Sequence, residues 1–369
     1  MPTASEFDQT RAADQLDELI ARLAVGRGTD PAIAEQLSAA AARRRRPLHI
    51  QITGRALSGR STVSAALALL SAQETTPVDQ PDEPDPVLDG DLVIYVLAGA
   101  PQTADLRLLA SVPAGRALVV LNKADAVGAR WGDAVAAAQQ HARELGLPVV
   151  PIIASVAART RAGAVDAADL SDLRRLAVGP DVPSVLAADL FIGSGSDQQA
   201  RQRLIAHWDL YGVDCALSAL RADPDLPSSA IIQILHSASG IDPLHALVHR
   251  RYEQVEAVRG GELLDELIRA AARAVPGDGG RARELIEQYL VGDEALWTGL
   301  CAGLACPQVA HLAAGYRSPA PADADEALSR ATRWRAVVSS DMPPPARRAA
   351  LRVHNGYVRA WERLSSAGL

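Results

Sequence analysis

The chain has 369 residues, 48% of them apolar, enough for a sizeable core and for two domains. A net charge of −7 argues against broad affinity for nucleic acid, and three cysteines (Cys215, Cys301, Cys306) give no even disulfide framework. No apolar run reaches the length of a membrane span, and the polar, acidic start (Met1 to Asp17) carries no secretory pattern, so a cytosolic chain with reduced thiols is expected.

Ala12, Leu16, Leu19, Ile20 and Leu23 recur at helical spacing over 8–25, and a second Ala/Leu-rich helix is expected over 31–42. Gly26-Arg-Gly28 with Asp30-Pro31 supplies the break and a new N-cap. Arg43 to Arg46 is a basic run just ahead of the first strand. Its plain reading is a solvated helix end that favours the dipole; its sharper reading is contact with anionic lipid or an acidic partner.

From residue 48 strands and helices alternate. Strands are expected at 48–53, 91–98, 116–121 and 148–153, and helices at 61–71, 103–111, 129–144 and 167–177. That rhythm indicates a parallel, doubly wound α/β sheet. Between the first strand and helix stands Gly54-Arg-Ala-Leu-Ser-Gly59-Arg60-Ser61-Thr62, which fits G-x-x-x-x-G-K-[ST] except that Arg60 replaces lysine. After the strand ending at Leu121 stands Asn122-Lys123-Ala124-Asp125, which reads N-K-x-D. Lys123 is the sole lysine in the chain, so a chance match at that position is improbable.

The two stretches together, in that order, resemble the P-loop G domain of the Era-like and bacterial dynamin-like GTPases. The resemblance implies GTP or GDP with magnesium as ligand. Gly54, Gly59, Arg60, Ser61 and Thr62 would then meet the phosphates, and Ser61 would hold the metal. Asn122, Lys123 and Asp125 would recognise guanine, with Asp125 accepting from the base and Lys123 lying along the phosphate loop. Ser155 and Val156 resemble the loop that completes the guanine pocket, although Val156 stands where alanine is usual. The plain alternative for Asn122 and Asp125 is that they close a strand-to-helix turn.

The resemblance also exposes a gap. A G domain places switch I, two antiparallel strands and an Asp-x-x-Gly loop between its first helix and the strand matching 91–98. Here that interval is residues 73–90, rich in Asp, Glu and Pro, and it reads as an extended acidic linker. Leu48, Ile50 and Ile52 alternate with His49, Gln51 and Thr53, which suggests a first strand at a half-covered edge. No catalytic residue is assigned: arginine is a planar fork where the loop expects a compact ammonium, and neither a water-positioning group nor a γ-phosphate switch is visible.

The C-terminal part reads as helical from about 197. Leu204, Trp208, Tyr211 and Cys215 mark one apolar stripe, Ile231, Ile232, Ile234 and Leu235 make a second helix that stops at Gly240, and Asp242-Pro243 caps a third. Others are expected at 262–275, 281–291, 294–304, 324–338 and 345–364. Residues 276–280 and 318–321 read as loops. His245 and His249 share a helix face, but the glutamate of a zinc motif is absent, and Cys301 with Cys306 lacks partners for a metal. The expected division is 1–46 (N-terminal helices), 47–195 (truncated G-domain-like α/β domain) and 196–369 (bundle or stalk). The preferred reading is a catalytically degenerate GTPase-fold protein, a pseudo-GTPase, that binds and regulates another protein, a GTPase-fold relative or a second copy. A slow GTPase using Arg60 and Ser61 is the second reading. A dynamin-like protein peripheral to the inner membrane face is the third.

Overall fold

The structure, a computed structural model of the chain, describes residues 4–25, 31–113, 115–128, 130–163, 165–178, 187–193, 197–274 and 280–367. The expected break at 26–30 and most of the loop at 276–280 lie outside the described residues. Contacts divide the chain into two compact units, Leu48–Arg251 and Met1–Pro47 with Tyr252–Leu369. The N-terminal helices therefore group with the C-terminal ones, and the helices between 198 and 251 group with the sheet.

In chain order, α1 (Ala4–Val25) and α2 (Pro31–Arg45) come first. The sheet unit follows with β1 (Ile50–Gly54), α3 (Arg60–Leu67), β2 (Ala72–Glu74), β3 (Leu92–Leu97), α4 (Thr103–Ser111), β4 (Ala117–Leu121), α5 (Trp131–Leu145) and β5 (Val149–Pro151). Among the described residues these make one five-stranded, all-parallel sheet in the order β2-β1-β3-β4-β5. Parallel strands joined by right-handed crossovers place α3 on one face and α4 and α5 on the other, because the order reverses direction after β2. Val93, Tyr95, Leu97, Ala117, Val119 and Leu121 accordingly pack with Leu108 and Leu109 of α4 and Ala138 of α5. The reversal lies between β1 and β3, and in open α/β sheets ligands bind outside the carboxyl ends of the strands at that point.

The first strand departs from the edge position expected of it. All five residues of β1 are buried, and β1 pairs with β2 on one side and β3 on the other. The polar alternation has a different cause: residues 75–91 lie over that face and satisfy it. Gln51 donates to the Val87 carbonyl (3.1 Å) and the Asp89 carboxylate (3.2 Å), and its Oε1 accepts from the Gly90 N–H (2.8 Å). Thr75 donates to Thr53 Oγ1 at 2.8 Å. Val78 is fully buried in the same cluster as Val93 and Tyr95, and Arg55 forms a parallel bridge to it. The segment expected as a linker is thus an ordered cover that begins with a strand. A single parallel strand of three residues borders β1 where two antiparallel ones were expected to be missing.

Beyond β5 the sheet unit is helical: α6 (Ala154–Ala162), α7 (Ala167–Val178), α8 (Ala188–Gly193), α9 (Gln198–Ala222) and α10 (Ser228–Ala238). Helix α6 starts directly after β5 and carries Ser155 and Val156, which the resemblance places in a loop. Val156, Leu173, Phe191, Leu204, Trp208, Val213 and Ile231 share one core there. Asp169 of α7 is the polar centre of this core. It accepts from His207 Nδ1 (2.7 Å), Trp208 Nε1 (3.0 Å) and Arg203 Nε (3.2 Å). Helix α9 is interrupted at Asp209, whose φ of 55° and ψ of 173° place a non-glycine residue in strained backbone.

Helix α11 (Ile241–Arg273) has residues in both units, and α12 (Gly280–Val291), α13 (Asp293–Leu304), α14 (Pro307–Ala310), α15 (Ala324–Val338) and α16 (Pro344–Ala367) complete the chain. Two separate helices were expected where α11 runs unbroken through Gly260-Gly261. A Cβ on Gly260 would come within 2.7 Å of Thr298 Cγ2, and one on Gly261 within 2.8 Å of Ala302 Cβ. These glycines admit α13 at close range rather than ending a helix. The basic run is engaged within its own unit: Arg44 pairs with Glu294 at 3.1 Å, Arg45 with Asp17 at 2.7 Å and Arg43 with Glu266 at 4.0 Å.

Candidate phosphate-loop site

The loop from Gly54 to Gly59 leaves β1 at the sheet's reversal point and turns into α3. Its backbone needs glycine at both ends. A Cβ on Gly54 (φ +147°) would stand 2.4 Å from the Val96 carbonyl oxygen, because β3 passes that close. At Gly59 (φ +90°) a Cβ would stand 2.3 Å from Asn122 Nδ2. Between them Leu57 also has positive φ (62°) and is 90% exposed. The first N–H groups of α3, on Arg60, Ser61 and Thr62, lack partners four residues earlier within the helix. A helix start of this kind favours an anion.

The N-K-x-D stretch is joined to this loop. Asn122, 3% exposed, donates from Nδ2 to the Ser58 carbonyl (3.0 Å) and accepts at Oδ1 from the Ala154 N–H (3.1 Å). One amide thereby ties the 54–59 loop to the start of α6, where Ser155 lies half-buried. Lys123, in left-handed backbone (φ 57°), donates from Nζ to the Leu57 carbonyl at 2.9 Å and so lies along the loop. Ser58 Oγ is buried and has no hydrogen-bond partner among the described residues. The sequence-selected residues Gly54, Gly59, Asn122 and Lys123 are therefore brought together in one assembly.

Other sequence-selected residues are placed differently. Arg60 points away from the loop's interior: Nη1 donates to the Thr75 carbonyl at 2.6 Å, and Nη2 lies 3.4 Å from Glu74 Oε1. The guanidinium is spent on the carboxyl end of β2. Val156 is fully buried in the helical core, beside Gly212 of α9. Ser61 is exposed on the second position of α3, and Thr62 beside it is half-buried. Asp125 is exposed in a short 3₁₀ turn (Ala124–Ala126). Dehydration by its surroundings raises its pKa, and the charge of Asp209 raises it further against the pull of Lys123. His245 and His249 find no third ligand: no group of three or more metal-ligating side chains occurs among the described residues.

A buried network under the loop escaped the sequence reading. Tyr95 is fully buried in β3 and donates to Asp105 Oδ1 at 2.6 Å; Asp105 Oδ2 accepts from the Gln102 N–H (2.7 Å) and lies 3.2 Å from Arg55 Nε. Burial, then the bond to Asp105, pushes the Tyr95 phenol up from its ordinary pKa. The available signal was a tyrosine inside the aliphatic run 92–97, since a buried phenol needs a partner. Arg55, inside the 54–59 loop, is thereby ion-paired to α4.

No family model matches this sequence, and no curated protein is significantly similar to it.

Proposed function

We propose that the chain is a GTPase-fold protein that holds a guanine nucleotide without turning it over. The observation that supports this most is the double staple from Asn122 and Lys123 to the phosphate loop, at the point of a parallel sheet where ligands bind. The residues fit a guanine base and the inner phosphates. Asp125 would accept from the base, and the backbone of residues 57–62 with the orphaned Ser58 hydroxyl would face the phosphates.

They do not fit a γ-phosphate with its magnesium. Strand β2 follows α3 and pairs in parallel with β1, so its carboxyl end is where an Asp-x-x-Gly loop would lie. The residues there are Glu74-Thr-Thr-Pro77. Pro77 has no N–H to offer a phosphate, and Glu74 is tied to Arg60. Losing one preorganised donor to a developing charge costs about a hundredfold or more in rate, and here several are gone. A protein that binds without turnover conveys its state by association, which is why a protein partner, an active GTPase of the same fold, belongs to the proposal.

The test is phosphate release from GTP. The purified chain is expected to release phosphate no faster than buffer alone, and Arg60→Lys to leave that unchanged because Pro77 remains. Release that disappears in Ser61→Ala would overturn the reading in favour of a slow GTPase.

A further inference from the structure

In the helical unit, the segment between α14 and α15 and the first turns of α15 line an open pocket of about 590 Å³, within the range of small-molecule sites. Arg317, Arg330 and Arg333 line it, against one carboxylate, Glu326. Arg330 is 7% exposed and fully committed. It donates to the carbonyls of Ser318 (2.9 Å) and Pro319 (3.2 Å), to Tyr357 Oη (3.1 Å) and to Glu326 Oε1 (2.6 Å), and it stacks 4.2 Å from the centre of the Tyr316 ring. Tyr316 is held in turn by Trp334 Nε1, which donates to its hydroxyl at 3.0 Å.

Glu326 is spent on Arg330 and on the Ala322 N–H (2.6 Å). That leaves Arg317 and Arg333 at the same cavity with no acidic partner among the described residues; Arg333 donates to the Leu312 carbonyl (3.0 Å) and lies 5.8 Å from the centre of the Tyr316 ring. Arg317 and Arg333 thus leave a local surplus of two positive charges beside a third that Glu326 already neutralises. Guanidinium forks match phosphate oxygens, and a phosphate monoester carries about −1.5 to −2 at neutral pH, which balances the surplus. The volume leaves room for an organic portion beside the phosphate.

We propose that this cavity binds a small phosphorylated molecule, with Arg317 and Arg333 as its charge-pairing groups and the buried Arg330 stack as its rigid wall. The test titrates pyrophosphate into the full chain at physiological ionic strength and into Arg317→Gln/Arg333→Gln. Both positions are exposed, so the double variant is expected to melt like the parent. Saturable binding, weakened about tenfold or more in the double variant, and slowed amide exchange over residues 312–333 on adding pyrophosphate, are expected. Absence of binding, equal binding in the double variant, or protection confined to residues 54–62 would overturn the proposal; the last would point to the phosphate loop instead.

Discussion

Asp169→Ala is expected to lower the stability of the chain by about 3 kcal/mol, read as a shift in the denaturant midpoint. The carboxylate is 1% exposed and accepts three charge-assisted or aromatic N–H bonds, from His207, Trp208 and Arg203. Removing one member of a buried charged network typically costs about 3–5 kcal/mol, since the others keep their desolvation penalty without the compensating bond. The lower end applies because the side chains of Arg203 and His207 are 37% and 40% exposed and regain water. Burial alone would raise the Asp169 pKa, but the bonds from His207, Trp208 and Arg203 outweigh it and hold it below the ordinary carboxylate value. The folded state therefore binds this proton more weakly than the unfolded chain. The stabilisation is complete above the unfolded value of about 3.9 and is lost as pH falls through the lower folded value. In Asp169→Ala the acid limb of the stability profile should flatten. An unchanged limb would show that the carboxylate contributes nothing.

Gly59→Ala is expected to cost about 3 kcal/mol and to abolish nucleotide binding. Alanine at φ +90° is strained by about 1 kcal/mol or more, and its methyl would fall 2.3 Å from Asn122 Nδ2. The Asn122 amide cannot yield cheaply, because it is buried and bonded at both ends, to the Ser58 carbonyl and the Ala154 N–H. Displacing it leaves buried polar groups unpaired at about 1–3 kcal/mol each. Thermal melting and nucleotide titration of the same variant check both parts. A variant that melts like the parent and still binds would mean the staple is incidental.

What could be read in the sequence follows from which interactions are local. Strands β3 and β4 are continuous apolar runs, as buried parallel strands require, and residues 103–111 and 324–338 form helices over the expected spans. The pairing of Gln51 with residues 87–90 joins positions nearly forty apart, so its polar pattern was read as exposure. Gly260-Gly261 reads locally as a break; only the approach of α13 reveals why glycine sits there. In the site, the positions of Gly59, Asn122 and Lys123 were legible as motifs. The diversion of Arg60 to Glu74 was not, since it depends on β2 pairing beside β1.

The most direct test of the central claim is a calorimetric titration of the chain with GDP and with GTP, each with and without Mg²⁺. A cradle lacking any sensor of the γ-phosphate predicts that the two bind within about threefold of one another, less than about 1 kcal/mol apart, and that Mg²⁺ changes neither. GTP binding tighter than GDP by about tenfold or more, and only with Mg²⁺, would contradict it and restore a working switch.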